Sequence, residues 1–271
     1  MTTILSNVVR SRGGAIAAIA AVAVVSVLGL AANAADQPER GEEYHRDFVF
    51  GVPNDPTEDW TLVYGGRVYD KWWEALETTE PTETHPAYPA GGKQAGKDTW
   101  RCKECHGWDY KGAAGAYAKG SHFTGIKGVE AMIGTEPGKI AAALRAKPHG
   151  FSAEQIPDEA LERLALFISK GQHDADAYID RATKKAKGDV EHGHRLYQAV
   201  CAACHGFDGK ALNFGDDKKP EFIGTLAVDN PWEALHKVRN GQPAIPMPAW
   251  RVFDIQYAVD VIAYAQTLPV K

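Results

Sequence analysis

Every cysteine of this chain belongs to one of two short motifs with the same spacing. The chain has 271 residues and 4 cysteines. Residues 102–106 have the sequence CKECH, and residues 201–205 have the sequence CAACH. Four cysteines in an exported protein would ordinarily predict two disulfides. Because each pair here is followed directly by histidine, the pattern C-x-x-C-H favours ligand attachment over disulfide formation.

The C-x-x-C-H spacing is the one required for covalent attachment of haem. Two thiols at this spacing can add across the two vinyl groups of one haem, and the adjacent histidine can then ligate the iron. A single motif could also be a zinc knuckle or a thioredoxin-like redox pair. Two copies, each followed by histidine, favour two covalently bound haem c groups. The residues assigned to haem binding are Cys102, Cys105, His106, Cys201, Cys204 and His205.

The first 35 residues have the pattern of an export signal. Arg10 and Arg12 precede an apolar run at 15–32, and the sequence Ala-Asn-Ala at 32–34 supplies a small-residue cleavage site. We therefore predict a cleaved signal peptide at 1–35 and a periplasmic protein. The alternative is an uncleaved membrane anchor, since the apolar run is nearly long enough to span a bilayer. Any other membrane contact would be through a membrane-bound partner.

The two halves of the chain are internal repeats of each other. The sequence HGWD after the first cysteine pair matches HGFD after the second. Pro137 opens a predicted helix in the first half and Pro231 opens one in the second, because proline favours the first turn of a helix. Amphipathic runs at 158–170 and 254–268 then close the two halves. This pattern predicts two small helical domains in tandem.

Residues 92–271 resemble the class I cytochrome c family in its two-domain, two-haem form. The resemblance is closest in the second half, where Gly193 and Tyr197 precede the cysteines and the sequence Pro-Met-Pro surrounds Met247. It implies that Met247 is the sixth ligand of the second haem iron. It also implies that the final helix packs across the helix before the haem, and that Gly193 permits this close crossing.

The predicted fold is therefore all-α, with two tandem class I cytochrome c-like domains that each surround one covalent haem. We predict these domains at 92–174 and 189–271, joined by a polar linker at 175–188. Residues 36–91 contain no haem motif, but they are too aromatic for a disordered tail. We predict that they form an irregular extension that packs over the first domain.

The repeat also indicates a sixth ligand for the first haem iron. His149 lies between the predicted middle and final helices of the first half, at the place that Met247 occupies in the second. Met132, His122 and an open coordination position are the alternatives. The predicted metal ligands are His106 and His149 at the first iron, and His205 and Met247 at the second. Because methionine favours reduced iron relative to a second imidazole, the second haem should have the higher potential.

Charge and motifs limit the classes of function. The formal net charge is −5, from 30 basic and 35 acidic residues with no basic stripe, so nucleic acid is not an expected partner. We predict a periplasmic protein that passes single electrons between a donor and an acceptor redox protein of a respiratory chain, rather than a stand-alone enzyme. The alternatives are a dihaem peroxidase, in which the sixth ligand of the first haem dissociates, and a haem-based sensor.

Overall fold

The computed structural model describes residues 51–271; the predicted signal peptide at 1–35 and residues 36–50 of the predicted extension lie outside this range. Within it, the regular elements are helices, and the only β contacts are two isolated bridges. This agrees with the predicted all-α class. The helices are α1 (Glu58–Ala75), α2 (Cys102–His106), α3 (Pro137–Arg145), α4 (Asp158–Leu166), α5 (Ala175–Tyr178), α6 (Val190–Leu196), α7 (Ala202–His205), α8 (Ile223–Asp229), α9 (Pro231–Asn240) and α10 (Ile255–Ala265). π-Helical turns at Phe167–Gly171 and Tyr197–Cys201 extend α4 and α6, and 3₁₀ turns form at Gly96–Trp100 and Glu130–Met132.

Local capping explains where α3 and α9 begin. Each helix has proline in its first turn, where no backbone N–H is needed. The Glu136 carboxylate accepts hydrogen bonds from the next backbone N–H groups of α3, and the Asn230 side chain caps α9 in the same way. The helices predicted at the two prolines are therefore confirmed.

In the second half, α6 and α10 cross at very short range. A Cβ atom on Gly193 of α6 would lie 1.9 Å from the carbonyl oxygen of Asp260 in α10. Only glycine permits this approach. The Tyr197 hydroxyl, one turn further on, donates a 3.0 Å hydrogen bond to the carbonyl of Gly206, directly after the second haem-attachment motif. The crossing therefore fixes the motif relative to the final helix.

Residues 58–75 form a helix, so the prediction of an irregular extension is wrong for this part of the chain. The Thr57 side chain caps α1 by accepting a 3.2 Å hydrogen bond from the Trp60 N–H. The helix packs against α4 of the first half and against α9 of the second. Because α1 is covered on more than one side, its apolar and aromatic residues do not form the single stripe that identifies a surface helix in a sequence.

The packing of α1 on α4 repeats that of α6 on α10. A Cβ atom on Gly65 of α1 would lie 2.3 Å from the carbonyl oxygen of Arg163 in α4. The Tyr69 hydroxyl donates a 2.7 Å hydrogen bond to the carbonyl of Gly107, directly after the first C-x-x-C-H motif. Each half thus has a glycine at the helix crossing and, one turn later, a tyrosine that contacts the glycine after its motif.

The segment predicted as a linker is ordered and packs on both halves. It contains α5 and a β-bridge between Ile179 and Ala186. Ile179 is buried in a hydrophobic cluster with residues of the second half. The guanidinium of Arg181 donates a 2.6 Å hydrogen bond to the carbonyl of Ala114 in the first half. These contacts fix a segment whose polar composition predicted an interdomain linker.

Buried charges also connect the two halves. Asp70 of α1 is fully buried and forms ion pairs with Arg101, next to the first motif, and with Lys237 of α9, whose Nζ lies 2.7 Å from the carboxylate. Although burial opposes ionisation, attraction by Lys237 and Arg101 holds the pKa of Asp70 well below its usual range. The described residues all belong to one compact unit. Within 51–271, no helix combines the length and apolar character needed to cross a bilayer.

Candidate functional site

The first C-x-x-C-H motif forms one turn of helix, α2. Helical spacing brings the side chains of Cys102, Cys105 and His106 to one side of the turn. Gly107 ends the turn with φ of +81°, a conformation that side-chain-bearing residues rarely adopt. Burial raises the pKa of the Cys102 thiol to about 12 and that of Cys105 to about 11. Both cysteines are free, so a haem could use both thiols.

A backbone carbonyl fixes the tautomer of His106. Its Nδ1 lies 2.7 Å from the carbonyl oxygen of Lys127, and because a carbonyl can only accept, Nδ1 must carry the proton. Nε2 is then the nitrogen left for a metal. Burial also lowers the pKa of His106, which favours the neutral form that binds metals. A hydrogen bond from the second ring nitrogen to a carbonyl is the usual way in which proteins orient a ligating histidine.

His149 lies beside His106 and has the same tautomer. Its Nδ1 donates a 3.1 Å hydrogen bond to the carbonyl of Ala143, which again leaves Nε2 for a metal. The ring centroids of His106 and His149 are 6.1 Å apart, with their planes at 38°. Two metal–nitrogen bonds of about 2 Å each, plus the distance from each bonded nitrogen to its ring centre, give about 6 Å for two imidazoles on opposite sides of one metal ion. The spacing fits an axial pair.

The alternative ligands for the first iron have other contacts. His122 holds its Nδ1 2.7 Å from the carboxylate of Glu104 and stacks on Tyr117, with ring centroids 4.9 Å apart. Met132 ends a 3₁₀ turn and packs against the hydrophobic core of the first half. Among the described histidines, His149 is the one whose ring lies beside that of His106.

The second motif also lies on helical turns. Cys201 ends the π-helical turn after α6, and Cys204 and His205 belong to α7. Burial raises the pKa of the Cys201 thiol to about 11 and lowers the pKa of His205. In contrast to His106, the buried Nδ1 of His205 has no hydrogen-bond partner among the described protein atoms. Gly206 ends the turn with φ of +79°, which repeats the geometry of Gly107.

Met247 lies in the loop between α9 and α10, at the position predicted from the sequence. A Cβ atom on Gly241, the residue that ends α9, would lie 2.8 Å from the Met247 carbonyl oxygen. The Trp250 N–H donates a 2.9 Å hydrogen bond to the carbonyl of Val238 and so ties the loop back to α9. Met247 is half-buried, and its loop is held at both ends.

Exposed apolar side chains near the second motif in sequence fit a large apolar prosthetic group. Phe207, directly after the motif, has 77% of its surface exposed, and Ile245, beside the methionine loop, has 53%. Together with free thiols and a neutral histidine, they provide what covalent haem attachment requires. Further exposed apolar residues in this part of the chain are Val200, Leu212 and Phe214.

A comparison with protein families identifies this part of the chain. Residues 188–264 match the family model described as cytochrome C oxidase, cbb3-type, subunit III. The match supports a cytochrome c domain at these residues, which make up less than a third of the chain. The cytochrome c domain contains the second C-x-x-C-H motif and Met247, and it implies covalently bound haem c and haem-based electron transfer with redox partners. A search of curated proteins found no match for the chain.

Repeats at constant spacing do not reveal the residues of α1 that support the first motif. A signal for them exists, because Gly-Gly-Arg-Val-Tyr at 65–69 matches Gly-His-Arg-Leu-Tyr at 193–197. In the second half the tyrosine stands one turn before the first cysteine of the motif. In the first half, residues 70–101 separate the two, so a search for repeats at constant spacing does not align them.

Proposed function

We propose that the protein is a periplasmic dihaem c-type cytochrome that passes single electrons between a donor and an acceptor redox protein. The observation that carries this proposal is the pair His106 and His149, whose ring centroids lie 6.1 Å apart while each holds its Nδ1 on a backbone carbonyl. This arrangement lies in the first half, outside the cytochrome c domain. It would supply two ligands for the iron of the first haem.

In this proposal the chain holds each haem through two thioethers and two axial ligands. Cys102 and Cys105 bind the first haem, with His106 and His149 on its iron. The second haem is bound by Cys201 and Cys204 and ligated by His205 and Met247. Each haem iron stores one electron. Because two protein side chains are available to each iron, these residues would orient the haems and leave no coordination position for a substrate.

The repeated helix crossing supports a haem domain in the first half as well as in the second. In the first half, Gly65 of α1 lies at the crossing with α4, and Tyr69 donates a hydrogen bond to the Gly107 carbonyl. In the second half, Gly193 of α6 lies at the crossing with α10, and Tyr197 donates a hydrogen bond to the Gly206 carbonyl. We infer that α1 is the first helix of that domain. Its sequence limits would then be about 58–174, with residues 76–95 as an insertion between the helix and the motif.

The surroundings of the two histidines favour different potentials. The hydrogen bond from His106 to the Lys127 carbonyl increases electron donation from the imidazole, and His205 has no such bond among the described residues. A second imidazole from His149 lowers the first potential further, whereas the Met247 thioether raises the second. Electrons would therefore pass downhill from the first haem to the second.

The test is a spectroscopic redox titration of the haem-loaded protein, with haem counted by the pyridine haemochrome method. We expect two haems per chain, two separate one-electron steps, and near-infrared magnetic circular dichroism signals of one bis-histidine and one histidine–methionine haem. A count of one haem would contradict the dihaem proposal. A high-spin haem that turns over peroxide would favour a dihaem peroxidase instead.

The variant His149→Ala tests the first site, and His122→Ala is its matched control. Loss of the His149 imidazole should open the first haem to carbon monoxide, because one axial position loses its ligand. His122 is held by Glu104, so its removal should leave both haems six-coordinate. A six-coordinate first haem in His149→Ala would exclude His149 as the ligand.

A further inference from the structure

His85 lies in the insertion, residues 76–95, that separates α1 from the first haem-attachment motif. The residue is buried, with 8% of its surface exposed. Its imidazole packs edge-on against Trp100, with ring centroids 4.3 Å apart, and at 5.8 Å from Phe151. Trp100 ends the 3₁₀ turn just before the motif, and Phe151 follows the loop that carries His149. His85 therefore lies between the cysteine side of the first site and its sixth-ligand loop.

Hydrogen bonds to both ring nitrogens fix the His85 tautomer. The Ala87 N–H donates a 3.0 Å bond to Nδ1, so Nδ1 is the acceptor. Nε2 then carries the proton and donates a 3.1 Å bond to the backbone carbonyl of His149. The backbone N–H of His85 donates a 2.8 Å hydrogen bond to the Thr99 hydroxyl, and this bond connects the insertion to the turn before the motif. The imidazole is held in one orientation and directed at the ligand residue.

The other hydrogen bonds of the loop around His149 connect it to α3 and the residue that follows this helix. Lys147, Pro148 and Gly150 are exposed, and Gly150 has φ of +64°. The backbone bonds of the loop run back to the end of α3, from the Gly150 N–H to Ala146 and from Phe151 to Leu144. The bond from His85 joins this loop to a different part of the chain, across the first site.

We propose that His85 is a positioning residue for the first haem, which holds the His149 loop so that its imidazole stays on the iron. This inference rests on the proposed function, since it takes His149 as the sixth ligand. The second half has no counterpart of the insertion, because Tyr197 stands one turn before Cys201. There, prolines on both sides of Met247 restrict the ligand loop directly. The insertion thus supplies in the first half a restraint that the second half has in its own loop.

Three variants of the haem-loaded full chain separate the contacts of His85. His85→Gln places an amide N–H near the Nε2 position and can still donate to the His149 carbonyl. His85→Asn keeps an acceptor near the Nδ1 position for Ala87 but loses the donor to His149. His85→Phe keeps the ring packing against Trp100 and loses both hydrogen bonds. Two measurements follow each variant: carbon monoxide binding by the reduced first haem, and amide hydrogen exchange of residues 146–151.

In the Asn and Phe variants, we expect the fraction of first haem that binds carbon monoxide to be about fivefold higher than in the parent. A factor of about five is what the loss of one hydrogen bond typically produces. Exchange in 146–151 should accelerate by a similar factor. The Gln variant should match the parent in both measurements, because it retains the bond to the ligand loop. Parental behaviour of the Gln variant would show that His85 acts through its hydrogen bond to the His149 carbonyl and not through the packing of its ring.

Parental carbon monoxide binding in the Asn and Phe variants would overturn the inference, whatever their exchange rates. His149→Ala, measured in parallel, shows where such a failure lies. If His149→Ala binds carbon monoxide while the His85 variants do not, only the positioning role is wrong. If His149→Ala keeps a six-coordinate first haem, the ligand assignment in the proposed function is wrong, and the positioning role is overturned with it.

Discussion

The Tyr110 hydroxyl donates a 2.9 Å hydrogen bond to Nδ1 of His236, and this bond joins the two halves of the protein. Tyr110 follows the first haem-attachment motif, and His236 lies on α9 in the second half. The Nε2–H of His236 donates a 2.9 Å bond to the carbonyl of Gly66 in α1. Both side chains are buried. One imidazole thus connects α1, the first motif and α9.

Loss of this hydrogen bond should destabilise the fold. Tyr110→Phe leaves Nδ1 of buried His236 without its donor, so we expect the free energy of unfolding to fall by about 1–3 kcal/mol. Urea unfolding followed by circular dichroism measures the change. Tyr117→Phe is the matched control, because the buried Tyr117 hydroxyl has no hydrogen-bond partner among the described residues. Equal losses in the two variants would contradict the role of the Tyr110 bond.

The stability of the protein should depend on the protonation of His236. Burial lowers the pKa of His236 from 6.5 to about 4 in the folded state. The contribution of neutral His236 to the free energy of unfolding is therefore complete above pH 6.5 and is lost as the pH falls toward 4. The reason is that the unfolded chain takes up a proton that the folded chain excludes. From pH 7 to pH 5, the free energy of unfolding should fall further in the parent than in His236→Gln. The difference between the two decreases should be on the order of 2 kcal/mol. Identical pH profiles in the two proteins would refute this linkage.

The close crossing of α1 and α4 should not tolerate a side chain at Gly65. A methyl group there would lie 2.3 Å from a backbone oxygen and 2.6 Å from the Cβ of Phe167. We expect Gly65→Ala to lower the free energy of unfolding by about 1–3 kcal/mol, despite the higher helix propensity of alanine.

Gly138→Ala is the control for this substitution. Gly138 is also helical, but the atoms nearest to its added methyl are flexible carboxylate oxygens of Glu136, at 3.0 Å and beyond. Its stability should match or exceed that of the parent by up to about 1 kcal/mol. Urea unfolding measures the free energy of unfolding of both variants. A Gly65→Ala protein as stable as Gly138→Ala would show that the packing of α1 does not need this close approach.

Replacement of Met247 should change one haem potential. Without the thioether, the second haem loses the ligand that favours reduced iron, so Met247→Ala should lower the higher of the two potentials by about 0.1 V or more. Both haems should remain covalently attached, since the cysteines are unchanged. Met132→Ala, which removes the other methionine in the described range, should leave both potentials at their parental values. Parental potentials in Met247→Ala would exclude Met247 as a ligand.

Local sequence was sufficient for the elements that depend on neighbouring residues. The prolines and caps of α3 and α9 predict where these helices begin, because the first turn of a helix is set by the residues beside it. The C-x-x-C-H spacing likewise predicts the second haem motif that the family model covers. The repeat indicated His149, and the ring of that residue lies beside His106. Its role as a ligand stays a prediction.

Tertiary structure decided the parts in which distant segments meet. Aromatic composition predicted that residues 36–91 pack on the protein, but not that α1 lies against both α4 and α9, because contacts on several sides erase the single-stripe periodicity of a helix. The buried charges Asp70, Arg101 and Lys237 look like ordinary surface residues in the sequence, and only folding brings them together. The sequence by itself determined the two C-x-x-C-H motifs from which haem attachment is predicted, since such a motif depends on short spacing. Which helices and which histidine support those residues depended on long-range packing, which no local pattern encodes.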